Sequence, residues 1–420
     1  MRASLLFFLA TLFPYLKSVW LLRVVTVANR QCGLYRYEKL AAKKIDEALS
    51  GKNFSETERA RIQESIYKKF IPEHFRPGYP LGYLDYVNQV SKQGEEDVSG
   101  KMLVIVRLNI LYDAAFRENL DENSEKVEDI VRIIVQEAQM YYWGQEVVER
   151  IDLRLIVVNL RQLTRELDKS KDINDIMFSF SETNPEDFED PDRADLNVVF
   201  VNRHIWTSKG HPDAFTLGVA AVGSFCNKFV DNSKRLAVIR SDALGAMAKT
   251  FAHELGHALG LKHDGFRGSK IESKCDSESF IMAPTDEYKQ VKFSKCSIEK
   301  LMLHLRTFWK CISNQYRVAN AHPMNDNFDF QKKPRRQSET NLDRTCRLAY
   351  DQRSTGFPET YKGVEVCQLS YCILDPLEGD TLAPAGPALS GGECAQAASG
   401  SKGTCINQEC VVNSGKRSVL

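Results

Sequence analysis

The chain is 420 residues long, which as a soft prior means two or three domains. Its 43% apolar and 27% charged content is ordinary for a soluble globular protein, and Lys plus Arg equals Asp plus Glu at 56 each. Zero net charge argues against a wholly basic nucleic-acid binder, and the one long apolar stretch, at the extreme N-terminus, excludes a multi-span membrane protein.

That stretch comes first in chain order. Arg2 is a short positive region and Leu5 to Leu16 is an apolar run of signal-peptide length, so residues 1–28 read as a signal peptide. Lys17, Trp20 and Arg23 blur the cleavage site, and an uncleaved anchor is the alternative. Residues 29–99 follow, highly charged from about 35 onward, with helical stretches at Tyr37 to Leu49 and Glu56 to Phe70 and a glycosylation sequon at Asn53-Phe54-Ser55. A pro-segment or spacer is one reading of that region, and a disordered linker the other.

From about residue 100 the pattern becomes α/β. Met102 to Val106 reads as a buried strand, Ser124 to Tyr142 as an amphipathic helix, and Asp152 to Val158, Leu196 to Val201 and Arg235 to Ile239 as further strands. A long helix starts near Ala243, little periodicity runs from Gly265 to about Ser294, and Ser297 to Trp309 is a last helix. Strands alternating with helices predict a mostly parallel twisted sheet with helical cover over residues 100–314. A polar linker at 315–340 follows, carrying the basic run Lys332 to Arg336, which reads as a solvated face, a processing site or an anionic-substrate patch.

Cysteines are distributed unevenly. Of eleven, Cys32 is alone in the first half, and Cys346, Cys367, Cys372, Cys394, Cys405 and Cys410 crowd residues 341–420. Six cysteines in a short loop-rich stretch, with no clean pair of C-x-x-C elements, predict a small disulfide-rich module made in an oxidising compartment rather than zinc ribbons.

Residues 251–265 read FAHELGHALGLKHDG, in which His253, Glu254, His257, Gly260 and His263 spell H-E-x-x-H-x-x-G-x-x-H. Side chains four apart share a helix face, so His253 and His257 can aim at one ion. Gly260 tolerates positive φ and lets the helix stop, so that His263 can return to the same ion. Three imidazoles leave the fourth zinc position open, which is the catalytic pattern and not the structural one. Zinc there would activate a water and polarise a peptide carbonyl, and Glu254, one residue round from His253, would act as general base. Leu244, Ala248, Phe251, Leu255 and Leu259 give the helix an apolar face to anchor it.

The eleven-residue motif resembles the zinc signature of the metzincin metalloproteases, and Phe280-Ile281-Met282-Ala283-Pro284 is similar to the methionine turn of that clan, with Met282 as its methionine. Asp264 after the third histidine resembles the adamalysin or reprolysin branch of venom, ADAM and ADAMTS enzymes, over about residues 100 to 312. The tail looks like the disintegrin-like or cysteine-rich module of ADAMTS proteins, with six cysteines where eight are common, and the layout is similar to secreted tick salivary metalloproteases.

The resemblance implies a metzincin catalytic domain followed by that module, secreted, hydrolysing matrix, plasma or cell-surface proteins, with neither nucleic acid nor a membrane span involved. It implies disulfides Cys226–Cys311 and Cys275–Cys296. It also offers Cys32, in a Cys-Gly pair, as a cysteine switch on the zinc; an intermolecular disulfide and an incidental thiol are the alternatives. Asp195 and Asn314 match the family's calcium site, although its first-strand glutamate is replaced around Met102. The rival reading is a non-catalytic secreted binding protein acting through the cysteine-rich tail.

Overall fold

The computed structural model describes residues 43–45, 47–50, 54–55, 58–59, 61–62, 65–66, 102–144, 147, 149–167, 176–177, 180, 184–187, 194–203, 216–225, 235–267, 269–285, 292–307, 337–357, 365–375, 379–395, 401–406 and 408–412. The leader at 1–28, Cys32, Asn53, Cys226, Cys311, Asn314 and the basic run at 332–336 lie outside the described residues.

Five strands form one sheet: β1 (Met102–Tyr112), β2 (Ile151–Gln162), β3 (Leu196–Val201), β4 (Gly218–Ala220) and β5 (Leu236–Arg240), in the order β2-β1-β3-β5-β4. The first four in that order run parallel, and β4 closes the edge antiparallel to β5. Every residue of β3 is buried, because the strand is covered on both faces; its unbroken apolar run has that cause. β2 lies at the other edge, and its alternating burial matches its alternating sequence.

β1 runs six residues beyond its expected end at Val106. Arg107 and Asn109 look like solvent-facing residues in the sequence, yet both are buried. They are paid for by partners far along the chain: Arg107 pairs with Asp195, and Asn109 donates to Asn197 Oδ1 at 2.7 Å and to the Asp187 carbonyl at 2.8 Å.

Among the described residues four helices accompany the sheet: α1 (Ala114–Glu122), α2 (Val127–Tyr142), α3 (Leu244–Ala258) and α4 (Lys295–Thr307). The sequence reading passes over α1, which Asp113 caps by accepting from the Phe116 N–H at 2.8 Å. α2 begins three residues later than expected because Ser124 sits at φ 57°, a left-handed conformation no helix can contain. Ile130, Ile133 and Ile134 of α2 join Phe251 and Leu255 of α3 and Leu301 of α4 in one core against β1 and β3. The Tyr142 hydroxyl donates to the Ala252 carbonyl at 2.8 Å and so ties α2 to α3. The sheet's other face has its own cluster, around Val199, Val219, Val238 and Phe266.

The C-terminal part contains α5 (Leu342–Ala349) and two three-stranded sheets, β6 (Thr355–Phe357), β7 (Ser370–Asp375) and β8 (Gly379–Gly386), then β9 (Glu393–Ala395), β10 (Lys402–Ile406) and β11 (Glu409–Val412). Disulfides Cys346–Cys372, Cys367–Cys405 and Cys394–Cys410 use all six tail cysteines. The same bonds account for the close grouping of Cys367, Cys394 and Cys410, which are therefore not metal ligands.

This part is docked, not tethered. Arg132 of α2 meets Glu339 at 2.6 Å, Glu125 meets Arg344 at 2.5 Å, and Glu137 accepts from the Ser390 N–H and hydroxyl at 3.1 and 3.0 Å. Ala243 and Ala246 pack with Cys346, Cys372 and Ala385. A Cβ on Gly245 would stand 1.8 Å from the Pro387 carbonyl oxygen, so only glycine permits that approach.

Candidate metal centre

α3 is buried on nearly every face, as a helix running through the core must be. It ends in paired hydrogen bonds, Gly260 N–H to the His257 carbonyl and Leu261 N–H to the Gly256 carbonyl, both 2.9 Å, with Gly260 at φ 93°. Gly260 thus turns the chain back, as its place in the motif predicts. The Gly223 and Phe225 N–H groups donate to the His257 and Ala258 carbonyls at 2.8 and 3.0 Å, so the final carbonyls of the helix are also bonded from outside it.

His253, His257 and His263 come together, with one nitrogen from each lying within 4.8 Å of the others. All three rings are buried. The Nδ1–H of His253 donates to the Ile281 carbonyl at 2.6 Å, and that of His257 to the Leu261 carbonyl at 2.9 Å. Each bond fixes the tautomer and turns Nε2 inward. His253 Nε2 is buried with no hydrogen-bond partner, and His257 Nε2 lies 3.3 Å from His263 Nε2. A tetrahedral ion with bonds of about 2.0–2.1 Å spaces its nitrogens by about 3.3 Å.

The electrostatics agree. Burial lowers His253 to a pKa of about 3, assisted by His263 and Lys249, and burial lowers His263 to about 3 as well. Both rings are neutral at physiological pH, the form that binds metal. The donor set and spacing fit zinc.

Glu254 is buried beside its ligand neighbours, next to β4. A Cβ on Gly218 would stand 2.8 Å from Glu254 Cγ and 2.9 Å from Oε1. The glycine leaves room for the carboxylate at the sheet edge. Met282 is fully buried under α3, and a Cβ on Gly256 would stand 2.6 Å from its Sδ. The turn around Met282 supplies carbonyls on two sides of the site: Ile281 to His253, and Met282 to the Asp264 N–H at 2.9 Å. Asp264 in turn accepts from Ser294 at 2.6 Å and Ser297 at 3.1 Å, and burial raises its pKa to about 6 in spite of them. Cys275 and Cys296 form a disulfide that joins this loop to α4.

Sequence reasoning missed Gly218, Gly256 and the carbonyls of Ile281 and Leu261. Gly256 alone left a signal, as a glycine inside a helix that costs about 1 kcal/mol against alanine and so needs a packing reason.

Asp195, the described residue of the expected calcium site, is paired with Arg107. Arg107 fills both of its oxygens, with its backbone N–H and Nε on Oδ2 at 2.8 and 3.2 Å and Nη2 on Oδ1 at 2.8 Å. A guanidinium thus already supplies positive charge at this carboxylate, and Asn314, the other residue matched to a calcium site, lies outside the described residues.

Residues 103–294 match metallo-peptidase family M12. The chain is 24% identical over 339 residues to A disintegrin and metalloproteinase with thrombospondin motifs gon-1 of Caenorhabditis elegans, covering 72% of this chain and 15% of that protein. It is 27% identical over 222 residues to the mouse (Mus musculus) protein with thrombospondin motifs 13, covering 50% of this chain and 14% of that one. It is 37% identical over 101 residues to zinc metalloproteinase-disintegrin-like BmMP of Bungarus multicinctus, covering 24% and 16%. The chain thus spans about 15% of the length of these curated relatives. Within it, the stretch from 103 to 294, with its histidine triplet, methionine turn and mostly parallel sheet, belongs to the M12 metallopeptidases of the reprolysin type.

Proposed function

We propose that the chain is a secreted zinc endopeptidase that hydrolyses extracellular matrix, plasma or cell-surface proteins. The convergence of three buried imidazoles beside the Glu254 carboxylate carries the reading. Zinc, when bound, supplies a Lewis acid that polarises a peptide carbonyl and activates water. Glu254 takes the proton of the attacking water and passes it to the leaving amine. The Ile281 and Leu261 carbonyls hold two of the three rings in register, and the buried surroundings strengthen the electrostatics of the site. Four disulfides among the described residues support assembly in an oxidising compartment, and the apolar N-terminal run supports export. Among those residues no helix is long and apolar enough to cross a membrane.

The test pairs zinc stoichiometry with cleavage of gelatin, with and without a chelator. One zinc per chain and chelator-sensitive cleavage are expected. Glu254→Ala should retain the zinc and lose about 10²–10⁴-fold or more in hydrolysis. Equal cleavage by that variant would sink the mechanism.

A further inference from the structure

His304 lies on α4, far from the motif in sequence, and is 3% exposed. Its ring occupies the space over Gly260: a Cβ built on Gly260 would be 2.4, 2.7 and 2.8 Å from the ring's Nδ1, Cγ and Cε1. The ring also hydrogen-bonds to the backbone of Phe225. Phe225 is the residue whose N–H closes the Ala258 carbonyl at the end of α3, two residues after Gly223 closes that of His257.

One side chain therefore bears on both structures that end the zinc helix. The first is the left-handed turn at Gly260, which sends the chain on to His263. The second is the 223–225 segment, which receives the carbonyls of a ligand and its neighbour. The loop between Gly260 and Asp264 is gripped at both ends by the same helix, because Ser297 of α4 and the adjoining Ser294 hold Asp264. A leucine would fill the space equally well in an ordinary core. A buried imidazole carries a polar cost that only its hydrogen bond offsets, and that bond fixes how the ring is rotated against Gly260.

We propose that His304 is a positioning residue for the metal site, holding Gly260 and Phe225 together so that His263 closes on His257 at the spacing an ion requires. The inference rests on the zinc reading above and concerns ligand geometry, not chemistry.

The experiment uses the full chain with His304→Leu and His304→Asn. The first keeps bulk and removes the ring N–H. The second keeps an amide and removes the ring from Gly260. Zinc retention is read by competition with a chromophoric chelator, and ligand geometry by the visible spectrum of the cobalt(II)-substituted protein. Retention about 10- to 100-fold weaker than wild type, with a shifted cobalt spectrum, is expected of both. Wild-type retention and an unchanged spectrum in either folded variant overturn the proposal, even with a lower Tm, since that is the behaviour of a core residue. Should the leucine variant fail to fold, the roomier asparagine variant decides. A wild-type chain that takes up no zinc overturns the metal-site reading and His304's role together. One zinc in the wild type, held equally by the variants, overturns only the latter.

Discussion

Gly218 shows how much of the site depends on what a residue lacks. Its missing Cβ leaves the space in which Glu254 Cγ and Oε1 lie. Gly218→Ala would press on the buried carboxylate side chain and on the Thr250 methyl, 2.8 Å from the new Cβ. Stability should fall by about 1–3 kcal/mol, zinc should stay bound, and kcat should fall by up to about 10²-fold, as a misplacement near 1 Å can cost. Wild-type kcat in a folded Gly218→Ala protein would remove the positioning role. The histidines make a second claim at this scale. In the unfolded chain they titrate near 6.5, whereas folded His253 and His263 are held at about 3. Between those values the unfolded state binds more protons, so stability of the chelated protein is full above about 6.5 and is lost as pH falls. Its Tm should drop from pH 7.5 to 5, with a shallower slope in His253→Gln; an unchanged slope in that variant would discount the burial.

Elements were legible in the sequence where their cause is local. The histidine triplet could be read because helix geometry alone brings positions 253 and 257 to one face and Gly260 marks the stop. β3 could be read because two-sided cover leaves an unbroken apolar run. β1 was cut short because the partners of Arg107 and Asn109 arrive about ninety positions later, at Asp195 and Asn197. The same holds for His304, whose contact with Gly260 no periodicity announces, and for β4, three residues long with two glycine-scale contacts to α3. The arginine that pairs with Asp195 is likewise out of view in the sequence, 88 positions earlier.

Across the whole molecule, the disulfide-rich part and the sheet domain share cores. Leu348 and Leu389 lie in the main cluster with Phe251, and Gly386 and Pro387 press against Ala246 and Gly245 at the first turn of α3. The tail thus buttresses the helix that carries His253 and His257. Gly245→Ala tests this, because its new methyl would meet a backbone carbonyl that has no side-chain freedom to yield. Helix propensity alone predicts a gain of about 1 kcal/mol for that substitution. Overpacking instead costs about 1–3 kcal/mol, so a lower Tm and faster proteolytic release of the region after residue 336 are expected. A raised Tm with unchanged proteolysis would mean that the two parts are merely adjacent.

The contact between Gly245 and Pro387 also imposes an order in time. A chain leaving the ribosome from its N-terminus has all three histidines and Glu254 in place well before the residues that cover the first turn of α3 exist. At about 5–20 residues per second that interval is of order ten seconds, and the tail's three bridges must still close afterwards. The helix that carries His253, Glu254 and His257 therefore gains the cover over its first turn only after those residues have been translated.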